Sequence, residues 1–192
     1  IHLMIAGRFK WREADAKIPG KLGLAAFDFP NGTVLLTEAG SQRRASLHLV
    51  RGERALAEMD PGGMEVLGST VGDFASVLGR ENHTLKRALT DPHLFSGIGN
   101  AYSDEILHAA KLSPMQLTSR LTTDQIANLH DCVVSVMTKW RDVLIAETGT
   151  GFPDKVTAFR NGMAAHGKFG KPCPTCGTLI QRIMYASNEA NY

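Results

Sequence analysis

The sequence predicts an α+β chain of more than one domain, and three observations predict it. Residues 1–72 read as strands joined by tight turns. Residues 73–152 read as helices, with apolar residues three and four positions apart. Residues 153–192 read as glycine-rich hairpin chain around one Cys-Pro-Thr-Cys. The 192 residues are 43% hydrophobic and 21% charged, an ordinary globular composition. A chain of this length buries roughly 70% of its unfolded surface, enough for one good core or two modest ones. The net charge is only +2, so a nucleic-acid partner must be argued from where charges sit, not from their sum. No apolar run reaches the roughly 18 residues a membrane helix needs. Arg8, Lys10 and Arg12 interrupt the early apolar stretch, which excludes a signal peptide. Three sparse cysteines, Cys132, Cys173 and Cys176, point to a reducing compartment, hence the cytoplasm.

In chain order, Ile1–Ile5 reads as a strand already in progress. Strands at Leu24–Phe29 and Thr33–Thr37 flank Pro30-Asn31-Gly32, a hairpin turn signal. Another strand is expected from Ala45 to Val50, after the basic turn Gly40-Ser41-Gln42-Arg43-Arg44, and Asp60-Pro61-Gly62-Gly63 closes the stretch. Asp73 suits the cap of a helix carrying Phe74, Val77 and Leu78. Short helices follow around Lys86–Leu89 and from Ala101 to Ala110. The longest starts at Thr123-Asp124 and lays Ile126, Leu129, Val133, Val136, Met137, Trp140 and Leu144 on one face.

Two motifs carry chemistry. Cys173-Pro174-Thr175-Cys176-Gly177 is half of a zinc knuckle: two thiolates three positions apart grip one tetrahedral ion, and the following small residue turns backbone amides toward sulfur. It opens a hairpin, whereas a redox pair sits where a strand meets a helix. The pair supplies two of four zinc ligands. Gly97-Ile98-Gly99-Asn100 feeds a helix N-terminus, where glycines permit close backbone approach and free amides suit a phosphate; Asn100 would be both cap and donor. A plain tight turn is the competing reading. From residue 151 onward five basic residues (Lys155, Arg160, Lys168, Lys171, Arg182) face two acids (Asp154, Glu189), the charge sign of a nucleic-acid surface. Asp104 and Glu105, early in their helix, read as dipole-capping acids. His83, His108 and His130 read as surface or interhelical residues, and Trp11 and Trp140 as core.

Residue 1 is Ile, and the chain stops at Tyr192 without a closing element. Both ends are expected to be cuts in a longer protein.

Three strings together are specific: Leu85-Lys86-Arg87-Ala88-Leu89-Thr90-Asp91, Phe95-Ser96-Gly97-Ile98-Gly99-Asn100-Ala101-Tyr102-Ser103-Asp104-Glu105, and His166-Gly167-Lys168-Phe169-Gly170-Lys171-Pro172-Cys173-Pro174-Thr175-Cys176-Gly177. They closely resemble the formamidopyrimidine-DNA glycosylase / endonuclease VIII family. The resemblance implies a partial β-sandwich over residues 1–72, a helix–two-turn–helix domain over 73–152, and a linker with an incomplete zinc-finger hairpin over 153–192. It implies phosphate contacts by His2, Lys86, Gly97, Gly99 and Asn100, and a contact of Arg43 with the orphaned base. Cys173 and Cys176 match two zinc ligands. His166 stands where the family carries a tyrosine, and Arg182 is the basic residue nearest the family's finger arginine, which aligns with Asn188. The family's void-filling Met and Phe align with Ile5 and Ala45, so lesion preference here is expected to differ.

What the resemblance implies in function is base-excision repair of damaged double-stranded DNA by a monomer. An oxidised base of the formamidopyrimidine or 8-oxoguanine type is flipped and removed, and the abasic strand is cleaved through a Schiff base. The family's nucleophile is an N-terminal proline amine, and none of these 192 residues matches it. The chain alone is therefore expected to catalyse nothing. The alternatives are a non-catalytic zinc-containing nucleic-acid-binding module and a metal-stabilised structural domain without a nucleic-acid partner.

Overall fold

The computed structural model describes residues 1–192 apart from 41, 154–156 and 186–187, and apart from the side chains at 185 and 188. Ser41 of the basic turn, Asp154 and Lys155 of the tail's charges, and the Asn188 side chain thus lie outside the described residues. The chain divides into two compact units: Ile1–Met59 with Ile145–Thr157, and Asp60–Leu144 with Ala158–Tyr192.

The first unit is built on an antiparallel sheet of β1 (Gly7–Arg12), β2 (Gly23–Phe29) and β3 (Gly32–Glu38), with β3 in the middle. Pro30 and Asn31 make the two-residue hairpin connection between β2 and β3. Gly32 is there for space: a Cβ would lie 2.2 Å from the Trp11 ring and 2.8 Å from the Arg12 carbonyl oxygen. Two expected strands are absent. Met4 takes a left-handed φ of 51° and the Gly7 amide donates to the Leu3 carbonyl, so the chain turns where a strand was expected. Residues 45–50 form only one bridge, Ser46 to His2. The buried Glu38 carboxylate accepts from the Arg44 and Ala45 amides at 2.9–3.1 Å, which draws the chain off the ladder. A short helix, α1 (Glu53–Ala57), follows.

The second unit holds the main core. It contains β4 (Met64–Glu65), α2 (Val71–Leu78), α3 (Leu85–Thr90), β5 (Phe95–Ser96), α4 (Asn100–Ala110) and most of α5 (Thr123–Thr148), then the hairpin of β6 (Arg182–Tyr185) and β7 (Asn188–Asn191). Val66, Phe74, Leu85, Ala88, Leu89, Ile106, Leu129 and Val133 are wholly buried and pack together. Of the α5 stripe read from the sequence, Leu129 and Val133 lie in this core, Ile126, Val136 and Met137 pack against it, and Trp140 joins a second cluster with Ala101 and Met163. Phe74 sits between Phe95, 4.9 Å away, and the His130 ring, 5.4 Å away.

Helix ends differ from the sequence expectation in instructive ways. Thr70 caps α2, and Asp73 is its capping-box partner: Thr70 Oγ1 accepts from the Asp73 amide at 3.1 Å, and the Asp73 carboxylate accepts from the Thr70 amide and hydroxyl. Those bonds hold the Asp73 carboxyl below its ordinary range. Gly99, in extended conformation, precedes α4, so Asn100 is its first helical residue and not its cap. Lys111 closes α4 at φ 57°, with its amide on the His108 carbonyl and the Leu112 amide on the Leu107 carbonyl, a Schellman ending.

Candidate nucleic-acid interface

The Gly97–Asn100 turn is the centre of the site. Gly97 has φ +80°, which lets the chain reverse direction after β5 and enter α4. Asn100 is half-buried and lines a cleft of about 720 Å³, together with Thr84, Lys86, Arg87 and Thr90 on or beside α3 and Ile183 and Glu189 on the hairpin. The α3 helix, the turn and the β6–β7 hairpin therefore share one concave face within the second unit.

Lys86 does not present a free cation to that cleft. Its Nζ donates to the Asn100 carbonyl at 2.7 Å, to Ser103 Oγ at 2.8 Å and to Asp104 Oδ1 at 2.5 Å. An ammonium has three N–H bonds, and all three are committed. Lys86, expected to touch phosphate, here holds the Asn100 backbone and the start of α4 from behind. Burial lowers the Lys86 pKa, and the Asp104 carboxylate opposes that shift.

Asp104 and Glu105 are buried, and their work is not dipole capping. Asp104, 1% exposed, bridges Lys86 and His166, accepting from His166 Nδ1 at 2.8 Å through its second oxygen. The Asn191 side-chain amide donates to that same oxygen at 3.4 Å. Glu105 accepts from three successive amides, Ala164 and Ala165 at 2.8 Å and His166 at 2.9 Å. These two acids tie residues 164–166 to the helix behind the glycine turn. His166 is accordingly buried beneath the surface the sequence expected it to join, with its ring stacked on Phe159. No periodicity pointed to these contacts, which span some sixty residues of chain.

Arg182 lies with its guanidinium 4.3 Å from the Phe169 ring centroid and 3.5 Å from Glu189 Oε2. In the first unit, His2 is exposed and bridges Ser46 through its backbone, and exposed Arg43 donates from its guanidinium to the Lys21 carbonyl. Since His2 and Arg43 belong to one unit and the remaining candidates to the other, each group stands within its own unit.

Cys173 and Cys176 flank one tight turn. The Thr175 amide points at Cys173 Sγ at 3.4 Å, and the Gly177 amide closes the knuckle on the Cys173 carbonyl. His108 Nε2 lies 3.1 Å from Cys173 Sγ. That hydrogen bond, with amides from Thr175 and Cys176, draws the Cys173 thiol pKa down to about 6. Among the described residues no group of three or more His, Cys, Asp or Glu side chains is placed to hold a metal.

Residues 65–149 match the family model described as formamidopyrimidine-DNA glycosylase H2TH domain. An uncharacterized formamidopyrimidine-DNA glycosylase-like protein of Mycobacterium tuberculosis is 34% identical over 130 residues, covering 68% of this chain and 80% of the relative. The formamidopyrimidine-DNA glycosylase of Desulforamulus reducens is 30% identical over 201 residues, covering all of this chain and 71% of the relative. The solved structure of MutM in complex with carbocyclic 8-oxo-G containing DNA superposes over the whole chain and 71% of its own, with a TM-score of 0.82 at 23% identity. Among the described residues no helix is long and apolar enough to cross a membrane.

Proposed function

This chain belongs to the formamidopyrimidine-DNA glycosylase family, and from that premise we propose that it supplies the backbone-gripping surface of a base-excision glycosylase and abasic-site lyase. The observation that carries the reading is the Asn100 turn, buttressed from behind by the Lys86 ammonium and opening onto the cleft that Arg87 and the hairpin share.

In this reading the Asn100 side-chain amide and nearby turn N–H groups donate hydrogen bonds to a DNA phosphate, while Lys86 fixes the turn's carbonyl and leaves the amides facing outward. Arg87 and Arg182 add cationic character on either side. Asp104, Glu105 and His166 hold the finger hairpin in register with the turn. In the first unit His2 contacts backbone and Arg43 faces the orphaned base. Cys173 and Cys176 would hold zinc as two of its four ligands, and the metal would supply rigidity to the knuckle. The damaged base is extruded, an amine attacks the sugar C1′, and the N-glycosidic bond breaks, its electrons leaving with the base. The C1′–O4′ bond then opens, its electron pair taking a proton on O4′ and leaving a protonated imine at C1′; loss of a C2′ proton from that imine lets the C3′–O bond break and the phosphate leave with its electron pair. The attacking amine is assigned to none of these 192 residues.

Borohydride trapping on a duplex with an abasic site tests the proposal. The full gene product should give a covalent adduct, and the 192-residue chain should bind the same duplex without one. Salt-sensitive binding with no adduct from either protein would replace the glycosylase reading with that of a nucleic-acid-binding module.

A further inference from the structure

The finger carries an aromatic surface that neither the turn nor the metal half-site uses. Phe169 is 51% exposed, although phenyl rings are normally buried. Its position is fixed by a tight turn: the Lys171 amide donates to the Lys168 carbonyl at 2.9 Å, with Phe169 and Gly170 at the corners and Gly170 at φ +73°. The Gly170 amide donates to the Ile180 carbonyl and the Ile180 amide to the Lys171 carbonyl, which ties the turn to the chain entering β6. The ring therefore stands on a braced backbone. The Arg182 guanidinium covers one face at 4.3 Å, and Arg182 is itself 39% exposed. Met184, 60% exposed, is two residues further along β6 and so shares the strand face of Arg182. Lys171 is exposed and Lys168 half-buried on the same turn, and Glu189 is the one carboxylate paired with Arg182 among the described residues.

An exposed phenyl, a stacked guanidinium and a thioether, flanked by two lysines, match the chemistry of unpaired nucleobases on a phosphate backbone. Bases offer flat π-faces to aromatic and guanidinium planes, and the lysines meet the phosphates. We propose that the Phe169–Arg182 surface is a stacking platform for unpaired bases of a DNA strand, such as those beside an opened or gapped site. The proposal rests on the DNA-binding reading above and adds to it a surface selective for unpaired bases.

The test uses fluorescence anisotropy on two probes, an intact duplex and a duplex with a three-nucleotide single-stranded gap, plus 2-aminopurine placed within the gap. The wild-type chain should bind the gapped probe more tightly and quench the 2-aminopurine. Phe169→Ala should lose about 5- to 100-fold of affinity for the gapped probe, the span of one base–aromatic stack, and relieve the quenching, with intact-duplex affinity unchanged. Phe169→Trp should retain both. Phe169→Leu, which keeps apolar bulk and removes the ring, should behave as the alanine variant. Equal affinity of wild type and Phe169→Ala for the gapped probe, with duplex binding intact, would overturn the platform alone. Equal loss on both probes would overturn it too, because the ring would then serve the duplex. Failure of the wild type to bind either probe would overturn the DNA-binding reading and the platform with it.

Discussion

Replacing Glu105 by alanine should uncouple the 164–166 segment from the helical core. The Glu105 carboxylate receives three backbone N–H groups at 2.8–2.9 Å, and it is 7% exposed, so water cannot readily substitute. A hydrogen bond to a charged group contributes roughly 1.5–3 kcal/mol net, and a buried donor left bare costs roughly 1–3 kcal/mol. Of the three donors, Ala165 is fully buried and His166 is 6% exposed, while Ala164 is half-buried and can recover a water. Two bare amides and one rehydrated amide give about 3–5 kcal/mol. For a unit of this size that lowers the melting temperature by roughly 10 °C or more. Hydrogen exchange at 164–166 should accelerate at least about 100-fold if those amides open locally, since about 3 kcal/mol corresponds to more than two decades. Glu105→Gln keeps one acceptor oxygen and should fall between wild type and alanine. A melting temperature within 2 °C of wild type, with protection at 164–166 retained, would refute the anchoring role.

Four further outcomes follow from the same contacts. Lys86→Met should cost about 3–5 kcal/mol in a urea melt, because it strands the Asp104 carboxylate, 1% exposed, without its cation; Lys86→Met with Asp104→Leu should recover part of that loss. Lys111→Gly should stabilise by about 0.5–1 kcal/mol, because glycine adopts the left-handed ending at φ 57° without a Cβ penalty; a destabilised variant in the same melt would count against that ending. Gly63→Ala should lower the melting temperature by several degrees, because its Cβ would meet the Pro92 carbonyl oxygen at 2.2 Å. Asp73 titrates below its ordinary value in the fold, so its contribution is present above the unfolded pKa and is lost as pH falls through the folded pKa. Thr70→Ala should move the Asp73 titration upward when followed by NMR.

Local features proved legible. The hairpin around Asn31, most of the α5 stripe and the glycine turn ahead of α4 follow from turn chemistry and periodicity, and the family resemblance rested on the strings at 85–91, 95–105 and 166–177. Some misread features were local, such as the turn at Met4 and the caps at Thr70 and Gly99; in the others a distant partner overrides local preference. Ala45–Val50 has strand composition, yet Glu38 captures two of the amides that lead into it. Asp104 and Glu105 look like helix-start acids, yet their partners lie at Lys86 and at 164–166. Lys86 looks like a phosphate-seeking cation until its three acceptors are seen. Nothing in a linear pattern tells a solvent-facing lysine from one whose protons are all spent inside the fold.

The central claim is that the Asn100 turn grips DNA backbone, and salt-dependent binding of a duplex by Asn100→Ala beside wild type tests it most directly. Wild-type affinity should fall linearly on a log–log plot with a slope of about −2 to −4, the release expected from a few neutralised phosphates. Asn100→Ala should bind about five- to tenfold more weakly with the slope preserved, because the lost contact is a neutral hydrogen bond. A flat salt response, or an Asn100→Ala variant that binds as wild type does, would contradict the account.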